Sequence, residues 1–242
     1  MIALFTDFGL DGPYTGQMKA ALAREAPAIP VIDLLADAPP GNVQAGAYLL
    51  AAFAPWFPEG TVFAAVVDPE VGSDRAAIAI EADGRWYVGP DNGLFELILR
   101  RARHVRCFAI TWRPEALSAS FHGRDLFAPV AARIARNAAD DVLRAVKPLR
   151  HPDWPDDLAA IVYIDRYGNA MTGLRAATLP ADARLGVGGK TLPRARTFAD
   201  VPASQPFWYE NANGLAEIAV NRGRADQALA LAVGSGVRVS RS

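Results

Sequence analysis

Three aspartates in this sequence stand directly after short apolar runs, where the carboxyl end of a strand is expected. They are Asp7, Asp68 and Asp165. In open parallel sheets, ligands bind beyond the carboxyl ends of the strands, so Asp7 and Asp68 lie where a site would form. Aspartate is also common in the turns that follow strands. Position alone therefore does not decide between ligand binding and turn formation.

The residues around the first two aspartates narrow the chemistry. Gly9 lets the backbone approach closely beside Asp7, whose carboxylate can accept two hydrogen bonds from a vicinal diol such as a ribose. Asp68 and Arg75 place a carboxylate and a guanidinium at the two ends of one turn. The same two side chains also fit a surface salt bridge, which would contribute about 0–1 kcal/mol.

The remaining polar candidates are weaker when each is taken alone. His122 is one of three histidines and stands beside Gly123 at the start of a predicted helix. A lone histidine is more often structural than catalytic. The polar loops of residues 167–169 and 211–214 fit either ligand contacts or ordinary turns. The turn of residues 89–93, which is rich in Gly, Pro, Asp and Asn, indicates a structural role when taken alone.

The composition excludes several kinds of site and partner. A single cysteine and three histidines leave no disulfide and little material for a metal centre, so we expect no metal. A net charge of −1 gives no global field that would attract nucleic acid or an anionic membrane. The longest apolar stretch, residues 45–57, is too short to cross a bilayer. Because no cationic segment precedes a cleavage site, we expect the cytoplasm.

The pattern of elements predicts an α/β protein. Apolar runs at residues 2–6, 31–34 and 62–67 alternate with helical patterns, which indicates a largely parallel sheet covered on both faces. Asn42 can cap one of the helices. Residues 82–84 predict a hairpin turn between two further strands.

The chain is predicted to contain two domains. Residues 148–155 hold three prolines and are the best linker candidate, which places an α/β domain at residues 1–150 and a second domain at 151–242, with the linker at about 148–157. Helical patterns thin out after the linker. The strand-like runs there are residues 159–164, 183–187, 194–198, 215–220 and 236–239, so we expect a small, mostly β domain.

Several short motifs occur in an order that is distinctive as a combination. They are Thr6-Asp7-Phe8-Gly9, residues 14–19, Gly46-Ala47, residues 57–62, Val67-Asp68-Pro69 with Gly72 and Arg75, residues 89–93, residues 121–125, Asp165 with Tyr167-Gly168-Asn169, and Asn211 with Gly214 and residues 217–219. Because it contains these motifs in this order, the chain resembles the S-adenosyl-L-methionine hydrolase family, whose members are also called hydroxide adenosyltransferases. That family is related to the fluorinases and chlorinases. The resemblance covers nearly the whole chain.

The resemblance implies a fold, an assembly and a reaction. The fold is a Rossmann-like amino-terminal domain, with a largely parallel sheet flanked by helices, and a smaller carboxy-terminal β-barrel-like domain. The assembly is a homotrimer with the ligand between neighbouring subunits. Water attacks the 5′ carbon of S-adenosylmethionine and releases adenosine and methionine. A sulfonium leaves as a neutral thioether, so the reaction needs no metal and no cofactor.

The resemblance also assigns roles residue by residue. Asp68, Arg75 and His122 match the residues that handle the attacking water, and our hypothesis is that Arg75 and His122 polarise it while Asp68 orients the pair. Asp7 matches the ribose carboxylate, and Asp165 the carboxylate that meets the methionine amine. The other expected substrate-binding residues are Phe8, Tyr167 and Asn169 of the adenine loop, Tyr209, Asn211 and Asn213.

Two departures from the family pattern keep other functions open. Glu70 stands where the family usually has glycine, and Ala212 replaces a serine, which removes a hydrogen bond worth about 0.5–1.5 kcal/mol. A non-catalytic module that binds adenosine or S-adenosylmethionine is therefore one alternative. A chlorinase-like halogenase is the other, although Asp68 and His122 favour water over a halide. The compact stretch of residues 76–88 also leaves no room for the extra loop of fluorinase-like members.

Overall fold

The computed structural model describes residues 1–241, and the backbone divides into two compact units after His151. Within this described part, no helix combines the length and the apolar character that a membrane span requires. The first unit carries the large sheet, and the second unit carries two small ones.

The first unit is built on a seven-stranded sheet. Its strands are β1 (Ile2–Thr6), β2 (Val31–Leu35), β3 (Val62–Val66), β4 (Ala77–Ala82), β5 (Arg85–Pro90), β6 (Val105–Ile110) and β7 (Leu143–Ala145). They are ordered β2-β1-β3-β5-β4-β6-β7. The first four in this order pair in parallel, and the other three pairings are antiparallel. The mostly parallel α/β sheet expected from the sequence is confirmed.

The reversal of direction between β5 and β4 comes from a tight hairpin. Asp83 and Gly84 form its two-residue turn and have positive φ angles of 45° and 76°. Two positive φ angles are what a hairpin turn needs to match the twist of its strands, and glycine adopts them without strain. The turn predicted at residues 82–84 therefore forms, and it is compact.

Helices cover both faces of this sheet. They are α1 (Tyr14–Glu25), α2 (Val43–Phe53), α3 (Glu96–Arg101) and α4 (Ala128–Ala135). Leu22 of α1 joins α4 and Leu4 in one core. On the opposite face α2 approaches so closely that a Cβ added at Gly46 would lie 3.0 Å from Leu94 and 3.7 Å from Phe5. Since successive strand residues point to opposite faces, β1 contributes to both cores.

The helix boundaries follow local chemistry. Asn42 caps α2, because its Oδ1 accepts the N–H of Ala45 at 2.9 Å. The helix α4 ends at Ala135, and Asn137 beyond it has a positive φ of 56°. A short π-helical turn, Gly123–Phe127, precedes α4. The chain thus enters α4 through a widened turn, a feature often found near functional sites.

A buried glutamate fastens the end of the first unit to α3. The side chain of Glu96 is 1 % exposed and accepts hydrogen bonds from Arg100 Nη2 at 2.8 Å, Arg150 Nε at 2.9 Å and the His151 N–H at 3.0 Å. Burial alone would raise the pKa of this carboxyl, but these donors outweigh burial and lower the pKa to about 2.

The second unit contains a four-stranded and a three-stranded antiparallel sheet. Its strands are β8 (Leu158–Ile164), β9 (Ala170–Arg175), β10 (Ala183–Val187), β11 (Lys190–Leu192), β12 (Pro206–Glu210), β13 (Leu215–Val220) and β14 (Arg238–Arg241), with one short helix, α5 (Ala225–Ala228). The orders are β12-β13-β9-β8 and β11-β10-β14. Bridges from Ala160 to Gly236 and from Arg194 to Trp208 connect the ends of the two sheets. The strands therefore close into a ring, consistent with the β-barrel-like expectation.

One strand expected from the sequence is absent. Residues 194–198 alternate like a strand, but only Arg194 makes a bridge. The segment then turns, because Thr197 and Asp200 cap each other across a short 3-10 helix. Conversely, the strand-like runs expected from the sequence did not include β9, which contains Gly173. A Cβ added at Gly173 would lie 2.6 Å from Leu158, so the close pairing of β8 and β9 requires glycine there.

Candidate active site

Asp7 lies at the carboxyl end of β1, as its position in the sequence predicts. Its Oδ2 accepts the N–H of Gly41 at 2.8 Å, which links the end of β1 to the start of α2. Burial raises the pKa of Asp7 above its usual value despite this hydrogen bond, and the nearby charge of Asp68 adds to the increase. Asp7 and Asp68 are thus electrostatic neighbours at one edge of the sheet.

Asp68 follows β3 and is paired with Arg75. The two side chains are 5 % and 13 % exposed and form an ion pair through Arg75 Nη2 and Asp68 Oδ1. The backbone N–H of Glu70 donates to the same Asp68 oxygen at 3.1 Å, which folds the turn around it. Both side chains are largely buried, so this ion pair is not the surface salt bridge that the sequence also allowed.

The turn of residues 89–93 supports the end of β3 from the neighbouring strand. Asn92 Nδ2 donates to the carbonyl of Val67 at 2.9 Å, directly before Asp68. A Cβ added at Gly89 would lie 2.1 Å from the carbonyl oxygen of Ala65, so only glycine fits beside β3 here. This turn is structural, as its composition indicated, and it positions the catalytic candidate.

A close backbone approach brings the His122 segment to the Asp68 turn. Gly72 has a φ of +87°, and a Cβ added there would lie 2.5 Å from the carbonyl oxygen of Ala119. Both the angle and the distance exclude larger residues. The turn that carries Asp68 and Arg75 therefore touches the segment that leads into His122.

Aromatic side chains hold the residues on either side of His122. The ring of Phe121 packs edge-on against Phe8 and Tyr14, with centroid separations of 5.6 and 5.3 Å. A Cβ added at Gly123 would lie 3.0 Å from the Phe8 ring. Phe8, expected to bind substrate, is half-buried and forms part of this cluster. The cluster fixes the backbone at His122, which begins the π-helical turn.

Asp68, Arg75 and His122 line one cavity of about 410 Å³. Its other lining residues are Gly72, Ser73, Asp74, Ala76, Ala77, Pro90, Arg113, Leu117, Ala119, Leu126 and Phe127. Asp7 and Phe8 are not among them; Asp7 interacts electrostatically with Asp68, and Phe8 packs against Phe121 and Gly123 on either side of His122. A carboxylate, a guanidinium and an imidazole thus face a space large enough for several water molecules, where a water molecule can be polarised and deprotonated.

In the second unit, Asp165 and Asn169 fold the loop between β8 and β9. Asp165 accepts the backbone N–H of Asn169 through Oδ1 at 2.8 Å and its amide group through Oδ2 at 3.0 Å. Asn169 is 6 % exposed, whereas Tyr167 is 77 % exposed at the tip of the loop. The loop is rigid at its base and presents an aromatic ring to solvent.

Glu217, which the sequence placed in a family motif without a role, is a buried acid at the centre of the second polar cluster. It is 2 % exposed on β13 and accepts hydrogen bonds from the Tyr209 hydroxyl at 2.8 Å and the Asn211 amide at 2.6 Å. Burial raises the pKa of Glu217, since its donors are neutral, and the nearby charge of Asp165 raises it further. A single acid in the apolar run 215–220 was the available signal.

Asn211 and Asn213 shape the next turn. Asn211 Oδ1 accepts the backbone N–H groups of Asn213 at 2.9 Å and of Leu215 at 3.0 Å, while its amide group binds Glu217. Tyr209 and Asn211 thus both donate to Glu217, and the charge of Asp165 acts on the same carboxyl. All six residues expected to bind substrate in this unit lie in the loops of residues 165–169 and 211–214 or on β12, and the two loops lead into opposite ends of the paired strands β9 and β13.

A salt bridge that the sequence analysis missed braces the Tyr167 loop. Arg224 pairs with Asp226 at 2.8 Å and donates to the carbonyl of Arg166 at 2.9 Å. Gly168, with a φ of +84°, leaves room for this pair, because a Cβ there would lie 2.5 Å from Asp226 Oδ1. Among the residues that the structure describes, no group of three or more His, Cys, Asp or Glu side chains could hold a metal ion.

Comparison with known families covers both units. Residues 2–143 match the SAM hydroxide adenosyltransferase N-terminal domain, and residues 159–238 match the SAM hydroxide adenosyltransferase C-terminal domain. The chain belongs to the SAM hydroxide adenosyltransferase family. The resemblance on which the sequence analysis depended is confirmed.

The similarity to individual proteins extends over nearly the whole chain. An (R)-S-adenosyl-L-methionine hydrolase from Thermus thermophilus is 41 % identical over 98 % of both chains. A fluorinase from Actinopolyspora mzabensis is 26 % identical over 100 % of this chain and 97 % of its own. The crystal structure of an uncharacterized conserved protein from Thermotoga maritima is similar with a TM-score of 0.89, at 29 % identity and full coverage of both chains.

Within this member of the SAM hydroxide adenosyltransferase family, the unusual Glu70 has a definite partner. Its Oε2 accepts a hydrogen bond from Arg75 Nη1 at 2.8 Å, although the Glu70 side chain is 69 % exposed. Arg75 is therefore held between two carboxylates. The residue that the resemblance marks as a departure therefore contacts a catalytic candidate.

Proposed function

We propose that this protein hydrolyses S-adenosyl-L-methionine to adenosine and L-methionine. The observation that carries the proposal is the convergence of Asp68, Arg75 and His122 on one cavity in a chain of this family. The Thermus thermophilus relative, which is named a hydrolase of (R)-S-adenosyl-L-methionine, supports the same reaction.

In the proposed reaction a water oxygen forms a bond to the 5′ carbon of the ribose as the bond from that carbon to sulfur breaks. The electron pair of the broken bond goes to sulfur, so methionine leaves as a neutral thioether. The proton of the water passes to His122, while Asp68 holds Arg75 against the water site. General base assistance of this kind contributes about 10²–10⁴-fold to the rate.

The proposal assigns the substrate to the two sets of polar residues. Asp7, with Phe8 beside it, accepts hydrogen bonds from the ribose hydroxyls, and Asp165 accepts a hydrogen bond from the methionine amine. An ionised carboxylate has about four acceptor positions, so the two hydrogen bonds from Asn169 leave Asp165 capacity for an ammonium group. The remaining contacts are assigned to Tyr167 and Asn169 at the adenine, and to Tyr209, Asn211 and Asn213 at the methionine end.

The assembly and setting are part of the same proposal. We expect a homotrimer with the ligand at subunit interfaces, no cofactor, no nucleic-acid partner and a location in the cytoplasm. Light scattering of the purified protein should give three times the chain mass of 25.9 kDa. A monomeric protein that still turns over substrate would contradict this part.

One experiment separates hydrolysis from its two alternatives. Purified protein is incubated with S-adenosylmethionine, with and without chloride, and the nucleoside products are separated by chromatography. Adenosine without chloroadenosine supports hydrolysis, whereas chloroadenosine that appears only with chloride supports a halogenase. Adenosine binding in calorimetry without turnover supports a binding module and contradicts the proposal.

A further inference from the structure

Arg75 is clamped by two carboxylates that differ sharply in exposure. Asp68, on Nη2, is 5 % exposed and belongs to the cavity wall. Glu70, on Nη1, is 69 % exposed and approaches the guanidinium from the solvent side. The outer carboxylate therefore covers the edge of Arg75 that would otherwise be open to a ligand.

The turn itself places Glu70 in this position. The Glu70 backbone N–H donates to Asp68 Oδ1 at 3.1 Å, so the residue that carries the outer carboxylate is anchored on the inner one. The turn continues through Gly72, whose close approach to Ala119 brings in the His122 segment. Because this hydrogen bond holds the backbone at Glu70, the Glu70 carboxylate can separate from Arg75 only by a change in its own side-chain conformation.

The outer carboxylate also decides the charge of the cavity. Among the lining side chains, the two aspartates Asp68 and Asp74 balance the two arginines Arg75 and Arg113. Arg113 Nη1 donates to the carbonyls of residues 110 and 112, which carry no charge. Glu70, which pairs with Arg75 from outside the lining, therefore adds one negative charge beside this balanced set. Without it, two guanidinium groups would face the cavity with no excess negative charge.

We propose that Glu70 is a positioning and specificity residue that keeps small anions, such as halides, away from Arg75. It occupies the Nη1 edge that an anion would take and repels the anion by its own charge. The inference rests on the proposed function, because exclusion of anions reserves the cavity for water as the nucleophile. It goes further in assigning this selectivity to one exposed side chain outside the cavity lining.

The test compares Glu70→Gln with the wild type, with Glu70→Asp as the conservative variant. The matched control is Glu81→Gln. It removes the carboxylate of the ion pair between Glu81 on β4 and Arg106 on β6, and neither residue lines the cavity. Chloride binding to the substrate-free protein is measured from chloride NMR line widths. Adenosine formation is measured against chloride concentration at constant ionic strength.

In Glu70→Gln we expect chloride to bind up to about fivefold more tightly, the upper end of the contribution of an exposed ion pair, and to inhibit adenosine formation in the same proportion. Glu70→Asp should recover most of the exclusion, and Glu81→Gln should behave as the wild type. Equal chloride binding in Glu70→Gln and wild type, or an equal change in Glu81→Gln, would overturn the inference. A wild type that forms no adenosine, beside a Glu70→Gln variant that gains chloride binding, would contradict the proposed function but uphold the exclusion of anions.

Discussion

Each unit of the molecule buries one glutamate almost completely, and the two are held in opposite ways. Glu96 in the first unit is bonded to two guanidinium groups and a backbone N–H, which lower its pKa to about 2. Glu217 in the second unit is bonded to a phenol and an amide, and burial raises its pKa. The exposures, 1 % and 2 %, are the same in practice. Burial acts to raise both pKa values, but only Glu96 has cationic partners that outweigh it.

The comparison extends to the proposed roles. Asp68 resembles Glu96 in having an arginine partner, but it lines a cavity where Glu96 is sealed. We therefore expect loss of Asp68 to affect the reaction, loss of Glu96 to affect folding, and loss of Glu217 to affect substrate affinity.

The largest effect is expected for Asp68→Asn. The variant keeps the shape of the side chain but removes the charge that holds Arg75, so adenosine formation should fall by about 10²–10⁴-fold. Adenosine affinity, measured by calorimetry, should stay nearly unchanged. An equal loss of turnover and affinity would show that Asp68 binds ligand instead of preparing the water.

Glu96→Gln should reduce the free energy of unfolding by about 3 kcal/mol at neutral pH. The estimate follows from a pKa of about 2 in the folded state against 4.5 in the unfolded chain. Because the folded pKa is lowered, the contribution is present above pH 4.5 and is lost as the pH falls toward 2. Urea unfolding of both proteins at several pH values should show the difference shrink in acid. A difference that is constant across this range would contradict the assignment.

Gly72→Ala should cost about 1–3 kcal/mol of stability, because alanine at a φ of +87° is strained and its Cβ meets Ala119. Since the change pushes the Asp68 turn away from the His122 segment, turnover should fall as well. Gly214→Ala is the matched control: its φ of +76° is similar, but nothing lies within 4 Å of the added Cβ. Equal loss of stability in the two variants would mean that the contact with Ala119 contributes nothing.

The smallest effect is expected for Glu217→Gln, whose stability should differ from the wild type by about 1 kcal/mol or less. Because the folded pKa of Glu217 is raised, its contribution to stability is present below pH 4.5 and is lost as the pH rises through the folded pKa. The stability of the variant relative to the wild type should therefore improve with rising pH, opposite to the trend for Glu96→Gln. The KM for S-adenosylmethionine should rise more than kcat falls. The same pH trend in both glutamate variants would break the comparison.

Local patterns in the sequence were sufficient for much of the first unit. Apolar runs predicted its first strands, Asn42 predicted the start of α2, and the stretch around Asp83 predicted the hairpin, because each depends on neighbouring residues only. The strand expected at residues 194–198 was wrong. Alternation alone could not show that Thr197 and Asp200 cap each other and turn the chain.

The site was predictable in its residue types but not in its partners. Aspartates after strands are visible in one sequence, whereas the contact of Gly72 with Ala119 joins segments far apart along the chain. The pairing of Glu217 with Tyr209 depends in the same way on the register between two strands. The roles given to the individual residues stay predictions until the variants are measured.

The ring of strands in the second unit has a consequence for aggregation. Its closure leaves no terminal strand among the residues described, whereas the sheet of the first unit ends at β2 and β7. A terminal strand can template pairing with another copy of the chain. Here β7 is only three residues long, and β2 follows Pro30 and carries the exposed Asp33 bound to Lys19. Short length, proline and charge thus discourage fibril-like pairing where geometry does not already prevent it.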